Sequence, residues 1–264
     1  FGGYVTFDEV RRLRKMVAPA DVVPSSIRRF LVPQLARLAP ARRRARIIEL
    51  FGRGTSYLDL ALMARRIISD DANRTMGFDH RAVGLTEHWL PTEAYEPFTQ
   101  INADLFHTVS QAETLLYMSN TLLRDTDVSS MNCSLETRVP FLGRTVVDLA
   151  GSIPGRVHFP PGPAKKHLLR LVASRLLPRE VLERPKRGFL LPFTPWMNGP
   201  LREECTADME RFAGNSIVDG AAVRAGWQEC IGRPGHTAQS RRLALIVLGS
   251  YLGSVHAAKP RPPL

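Results

Sequence analysis

The chain has 264 residues, 44% of them hydrophobic, and a formal charge of +11 with a pI near 10.3. That length and apolar content support one large domain or two small ones with a real core. The longest apolar run, Leu243 to Leu248, is far too short to span a bilayer, and Cys133, Cys205 and Cys230 are scattered without a C-x-x-C pair, which argues against a disulfide framework and a zinc site.

The positive balance favours anionic partners, such as nucleotide, pyrophosphate, acidic substrate, nucleic acid or membrane, or else a solvated basic surface. The N-terminus lacks a signal-peptide pattern and begins with Phe1 rather than Met, so a fragment is the expectation. A reducing cytoplasm is the expected compartment.

In chain order, Gly2-Gly3-Tyr4 leads to Thr6 and Glu9, whose T-x-x-E spacing predicts a capping box. Val10, Leu13 and Val17 then recur at helical spacing. Ser25 to Leu38 reads as a helix that Pro33 kinks or breaks. Ala41 to Phe51 is a second helix carrying Arg42, Arg43, Arg44 and Arg46, with Gly52 and Gly54 suited to its C-terminal cap. That arginine run is either a solvated face or a docking surface for RNA or an acidic partner. Leu58, Leu62, Ala64, Ile67 and Ile68 continue a helical stripe that stops near Asp70-Asp71.

Gly77 to Thr99 is mixed, with loops around Gly84 and Pro91. Gln111 to Leu123 returns to helix. In the segment Leu122 to Arg144, Pro140 forces Val139 to be extended, so any preceding helix ends there. Glu136 and Arg138 then face the same side and, among close apolar neighbours, are expected to pair. Arg144 to Ile153 is a short helix. Pro163 suits the first turn of the next one, whose apolar face is Leu168, Leu169, Val172, Ala173 and Leu176. Leu201 to Phe212, Val218 to Ile231 and Thr237 to Val255 are helical. Residues 1–255 read as one helical body and 256–264 as a frayed tail. Two-residue alternation is scarce, so the fold class is predominantly α-helical with little or no sheet.

Three ordered stretches stand out. The first is Ser130-Met131, Ser134-Leu135-Glu136, Arg138 and Pro140-Phe141-Leu142. The second is Lys166 with Leu169-Arg170. The third is Arg184, Lys186, Gly188-Phe189, Pro192 and Trp196. At this spacing and order they resemble the C-terminal half of the glutamine-dependent asparagine synthetase family, over about Gln111 to Gly199. The resemblance implies the helical second half of an adenine-nucleotide α-hydrolase-like (ATP-pyrophosphatase) α/β domain. The family's F-G-G-Y matches Phe1 to Tyr4. Its S-G-G-x-D-S nucleotide loop occurs nowhere in this sequence.

The resemblance further implies an ATP-dependent amide ligase that adenylates a carboxylate, which ammonia from glutamine then attacks. ATP and Mg2+ would be bound mainly by an upstream half, and a glutaminase domain would lie upstream or in another chain, so these residues alone are expected to be inactive. Lys166 is the candidate catalytic residue, stabilising charge on the reacting phosphate; a pair of exposed lysines is the alternative. Lys186 and Arg184 are candidates for a loop closing over pyrophosphate, or for one that merely packs. Asp127, Ser130, Glu136 and Arg138 are candidates for the acceptor side, with a structural ion pair the alternative for the last two. No metal ligands are assigned. Gly143 stands where the family usually has aspartate, and Val128 where arginine is common, which bears on the acceptor. A β-lactam synthetase-like or other amide-forming ligase of a biosynthetic cluster is the second reading, and a basic, non-enzymatic helical module the third. No membrane or nucleic-acid partner is expected; homodimerisation is left open.

Overall fold

The computed structural model describes the chain except residues 1, 53–54, 79–83, 87–89, 91–92, 94–103, 163–164, 185–190, 232–235 and 258–264, and except the side chains of 41–43, 45–46, 236–237 and 255–257. The described residues are predominantly helical and contain no strand. They form two compact units, one of residues 1–65 with 86–185 and one of residues 66–85 with 186–264.

The first unit is built on the helix Val5–Val17. The predicted stripe Val10, Leu13 and Val17 is its buried face, joined by Phe7, and all four are at most 3% exposed. They pack with Leu58 and Leu62 of the helix Tyr57–Arg65, with Phe106 and Val109, and with Phe159. Truncating a side chain such as Phe7 to alanine in this setting costs about 3–5 kcal/mol.

The expected capping box is not made. Tyr4 is the N-cap, without a side-chain cap bond, and Thr6 lies inside the helix, buried against the core. Burial of the first turn took Thr6 away from the capping position.

The helices Ser25–Ala36 and Ala41–Gly52 pack on each other. Pro33 neither breaks nor ends the first of them. The hydrogen bond a proline forfeits is outweighed by packing along the pair. Gly52 is the last helical residue rather than a cap, and Gly54 lies outside the described residues. The next helix ends at Arg65, and Asp70-Asp71 start a helix instead of stopping one. The Ser69 side chain accepts from the Ala72 N–H there, and the two carboxylates suit the positive end of the helix dipole.

Helix resumes at Leu105, six residues before the expected start, because Asp104 caps it by accepting from the His107 N–H at 2.9 Å. It continues as Leu105–Ala112, a π-helical stretch Glu113–Leu123, and Arg124–Met131. It stops well before Val139. Ser134 takes a left-handed backbone (φ 57°), the Leu135 N–H reaches the Ser130 carbonyl and the Ser134 N–H reaches the Met131 carbonyl, which is the Schellman arrangement. Arg144–Ser152 and Gly155–His158 follow, then His167–Ala173 and Arg179–Glu183. The apolar face expected for the helix after Lys166 is only half covered: Leu168 and Leu169 are half-buried, while Val172 and Leu176 are exposed and Leu176 falls beyond the helix. Pro163 lies outside the described residues.

In the second unit the helices Arg202–Ala213, Gly220–Ile231 and His236–Ala257 match their expected positions. Met209, Phe212, Val223, Trp227 and Leu245 form its core, joined by Met76 and Met197. Gly249 permits the closest approach: a β-carbon there would run into the Asp208 carbonyl. The last helix reaches Ala257, and the rest of the expected tail, 258–264, lies outside the described residues. No helix among the described residues is long and apolar enough to cross a membrane.

Candidate functional site around Gly3 and Lys166

Lys166 is exposed and sits at the N-cap of the helix His167–Ala173, not within its first turn, and its backbone is left-handed (φ 56°, ψ 42°). For a lysine this backbone is disfavoured by about 1–2 kcal/mol. Its carbonyl still starts the helix, accepting from the Arg170 N–H at 2.9 Å. The left-handed turn sends the side chain back across the N-terminal strand of coil. A β-carbon on Gly3 would lie 2.5 Å from Lys166 Cε, 3.1 Å from Cγ and 3.4 Å from Cδ. The glycine is what leaves room for the lysine stem.

Lys165, next door, is tied to Asp8 at 3.2 Å. Both partners are more than 40% exposed, so the pair adds at most about 1 kcal/mol. Its effect is positional: it engages Lys165 with the first helix, leaving Lys166 as the neighbouring cation. Arg11, from the same helix, lies 3.4 Å over the Phe159 ring and donates to the Phe159 carbonyl at 2.8 Å and the Pro160 carbonyl at 3.2 Å. These bonds fix the chain just before the Lys165–Lys166 turn.

Tyr4, after Gly3, packs edge-on against Tyr117 at 5.8 Å. Arg65 lies 4.0 Å over the Tyr117 ring and grips the buried Glu113 with both its Nε, at 2.7 Å, and its Nη2. Burial, seconded by the neighbouring Tyr117 and the Glu113 carboxylate, raises the Tyr4 phenol above its ordinary pKa, against the opposing pull of Arg65. None of Asp8, Arg11, Arg65 or Glu113 was legible as part of this site. Their partners lie 48 to 157 positions away, and no local pattern encodes such pairings.

Arg184 is exposed at the C-cap of Arg179–Glu183 and makes no side-chain hydrogen bond or ion pair among the described residues; Lys186 lies outside them. An open hollow of about 280 Å3 runs beside the helix after Lys166, with Arg170, Ser174, Arg179 and Glu183 on its walls, and Lys166 and Arg184 do not line it.

On the expected acceptor side, Asp127 is exposed and Ser130 Oγ donates to the Asp127 carbonyl at 3.2 Å. Glu136 and Arg138 do pair, at 2.5 Å, but in the open, 69% and 82% exposed. The apolar residues around them are exposed too, which removes the buried setting expected for the pair. Among the described residues no three His, Cys, Asp or Glu side chains gather to hold a metal ion.

The turn that presents Lys166 thus brings the second sequence motif onto Gly3. The family model for asparagine synthase matches residues 1–254. The chain belongs to the asparagine synthase family. Among curated proteins, asparagine synthetase (glutamine-hydrolysing) 1 of Bacillus subtilis is 27% identical over 209 residues, covering 77% of this chain and 30% of that protein. A Mycobacterium tuberculosis protein with the provisional name asparagine synthetase (glutamine-hydrolysing) is 29% identical over 253 residues, covering 94% of this chain and 36% of that protein. The chain therefore spans about a third of the length of these family members. No solved structure gives a significant match.

Proposed function

We propose that the chain is the helical part of the synthetase domain of an ATP-dependent amide ligase, with the adenine-nucleotide α-hydrolase-like α/β fold completed by residues outside these 264. A substrate carboxylate oxygen attacks the α-phosphorus of ATP, the bond to the β-phosphate oxygen breaks and pyrophosphate leaves. Ammonia from a glutaminase domain then attacks the acyl carbon, and AMP leaves with the electron pair of the acyl–oxygen bond. Lys166 stabilises the negative charge that builds on the phosphate oxygens. A unit charge about 4 Å away contributes about 4 kcal/mol at an effective dielectric of 20. Arg184 and Lys186 meet the departing pyrophosphate, and Asp127, Ser130, Glu136 and Arg138 face the acceptor. ATP and Mg2+ would be held mainly by residues outside these 264, and no step is assigned to the metal.

The single observation that supports this reading is the contact between Gly3 and Lys166. Two family motifs more than 160 positions apart meet, and the lysine reaches that meeting point through a left-handed backbone, the kind of local strain that gathers at functional sites. The test is Lys166→Ala in the complete ligase. Pyrophosphate release should fall about 100- to 1000-fold while Tm stays within a degree or two of the parent; unchanged release refutes the role. Because the S-G-G-x-D-S loop is absent from the sequence, the 264 residues alone should give no ATP–pyrophosphate exchange.

A further inference from the structure

Gly3, across which the Lys166 stem lies, is held from both sides. On one side Gly2 is buried with a left-handed backbone (φ 63°), and a β-carbon there would lie 3.3 Å from Phe106 Cε2 and 3.6 Å from Phe159 Cδ2. On the other side the Tyr4 ring meets the Tyr117 ring edge-on at 5.8 Å. The Arg65 guanidinium lies 5.1 Å over Tyr4 and 4.0 Å over Tyr117, both within the reach of a cation–π contact.

Arg65 is itself fixed. It ends the helix Tyr57–Arg65, and it donates to both carboxylate oxygens of Glu113, through Nε at 2.7 Å and through Nη2. Glu113 is 5% exposed. A two-pronged bond between an arginine and a carboxylate sets direction as well as distance, and the guanidinium cannot lose its proton. Glu113 and Tyr117 both belong to the π-helical stretch Glu113–Leu123, a geometry that is rare and gathers at functional sites. One stretch of backbone thus gives Arg65 an acid and a ring, and Arg65 passes their position to Tyr4, the neighbour of Gly3.

We infer that Arg65 is a positioning residue for Lys166, acting through Tyr4 and Gly3. The inference rests on the proposed ligase role of Lys166. Without Arg65, Glu113 loses its counter-ion and the Tyr4 ring loses its cationic cover. The backbone at Gly3 then shifts, and the lysine stem packed on it follows. Displacement of a reacting charge by about 1 Å is enough to cost about 100-fold in rate.

The test is a double-mutant cycle in the complete ligase, with Arg65→Met, Lys166→Ala and the two combined, read as pyrophosphate release. Arg65→Met should lower kcat at least about tenfold and leave KM for ATP within about twofold, because the misplaced charge is needed in the transition state rather than for binding. In the Lys166→Ala background the same substitution should change the rate by less than about twofold, since the group it positions is gone. A residue that only holds the fold would lower Tm and act equally in both backgrounds. Equal losses in the two backgrounds, or a parental kcat in Arg65→Met, would overturn the inference and leave the role of Lys166 standing. Unchanged release by Lys166→Ala would instead remove that role, and this inference with it. Should Arg65→Met fail to fold, Tyr4→Leu, which removes the ring under Arg65 and keeps an apolar side chain, enters the same cycle with the same expected outcomes.

Discussion

The stem of Lys166 lies across the backbone of Gly3, with Cε only 2.5 Å from where a β-carbon would be. A methyl group at position 3 must push the lysine aside. The lysine end is flexible, so Gly3→Ala should cost the fold little, within about 1 kcal/mol. The ammonium, however, would be displaced by an ångström or so, and misplacement of that size can cost about 100-fold in rate. In the complete ligase, Gly3→Ala should lower the rate of pyrophosphate release by about 10- to 100-fold with Tm nearly unchanged. A lowered Tm with parental activity would show that Gly3 serves the fold alone.

Ser134 ends a helix in a left-handed conformation that glycine usually supplies. The strain on a residue with a β-carbon is about 1–2 kcal/mol, and the extra unfolded-state freedom of glycine returns about 0.5–1 kcal/mol of that. Ser134→Gly should therefore stabilise the chain by about 0.5 kcal/mol, read as a higher urea midpoint with an unchanged slope. A lower midpoint would mean that the serine hydroxyl contributes more than its backbone costs.

Helical periodicity was the most readable signal. Val10, Leu13 and Val17 fell on the buried face because their spacing specifies it, and the three C-terminal helices fell where expected. The central motif misled in one respect. Val128, Met131, Leu135, Val139 and Phe141 are apolar, yet all are at least 42% exposed. Composition reports what a residue prefers, and burial also requires a partner surface, about which a local pattern says nothing. The site was half legible for the same reason. Lys166 stood out by its motif, while Asp8, Arg65 and Glu113 gain their roles only from contacts made across the fold. Because Leu135 is already in water, Leu135→Gln should change the stability of the chain by no more than about 0.5 kcal/mol, whereas Leu13→Ala should cost about 2–5 kcal/mol. Chemical denaturation of the two variants side by side checks the contrast.

Glu113 is 5% exposed and is held by Arg65, itself about one-third exposed. Glu113→Gln keeps the shape and removes the charge, leaving the guanidinium short of its counter-ion. With one partner still reaching solvent, the loss should be about 1–3 kcal/mol, below the 3–5 kcal/mol of a fully buried pair. Because the Glu113 carboxylate helps to raise the Tyr4 pKa, its removal should also lower that pKa, visible as earlier phenolate absorbance in an alkaline titration. A stable variant with an unshifted Tyr4 would show that the pair is decorative.

His158 links stability to pH. It is 1% exposed and stacked on Phe106 at 4.2 Å, and its Nε2–H donates to the Ala150 carbonyl at 2.8 Å. Nδ1 is buried without a protein partner. Burial lowers its pKa below the ordinary value, and the nearby Asp104 carboxylate does not reverse this. The folded chain thus prefers neutral His158, while the unfolded chain takes up a proton near pH 6.5. The contribution is complete above that pH. It starts to be lost as the pH falls past about 6.5 and is gone once the pH has dropped through the lower folded-state value. Asp104 falls in a separate window. Burial opposes its ionisation, but donation from the His107 N–H and ring and from the Gly155 N–H outweighs burial and holds the carboxyl low, so its contribution is lost only below about pH 4. His158→Phe, which retains a ring against Phe106, should cost about 1 kcal/mol at pH 8 for the lost hydrogen bond and flatten the decline between about pH 7 and 5. Urea midpoints of parent and variant across that range measure the difference, and an undiminished slope in the variant would place the titrating group elsewhere.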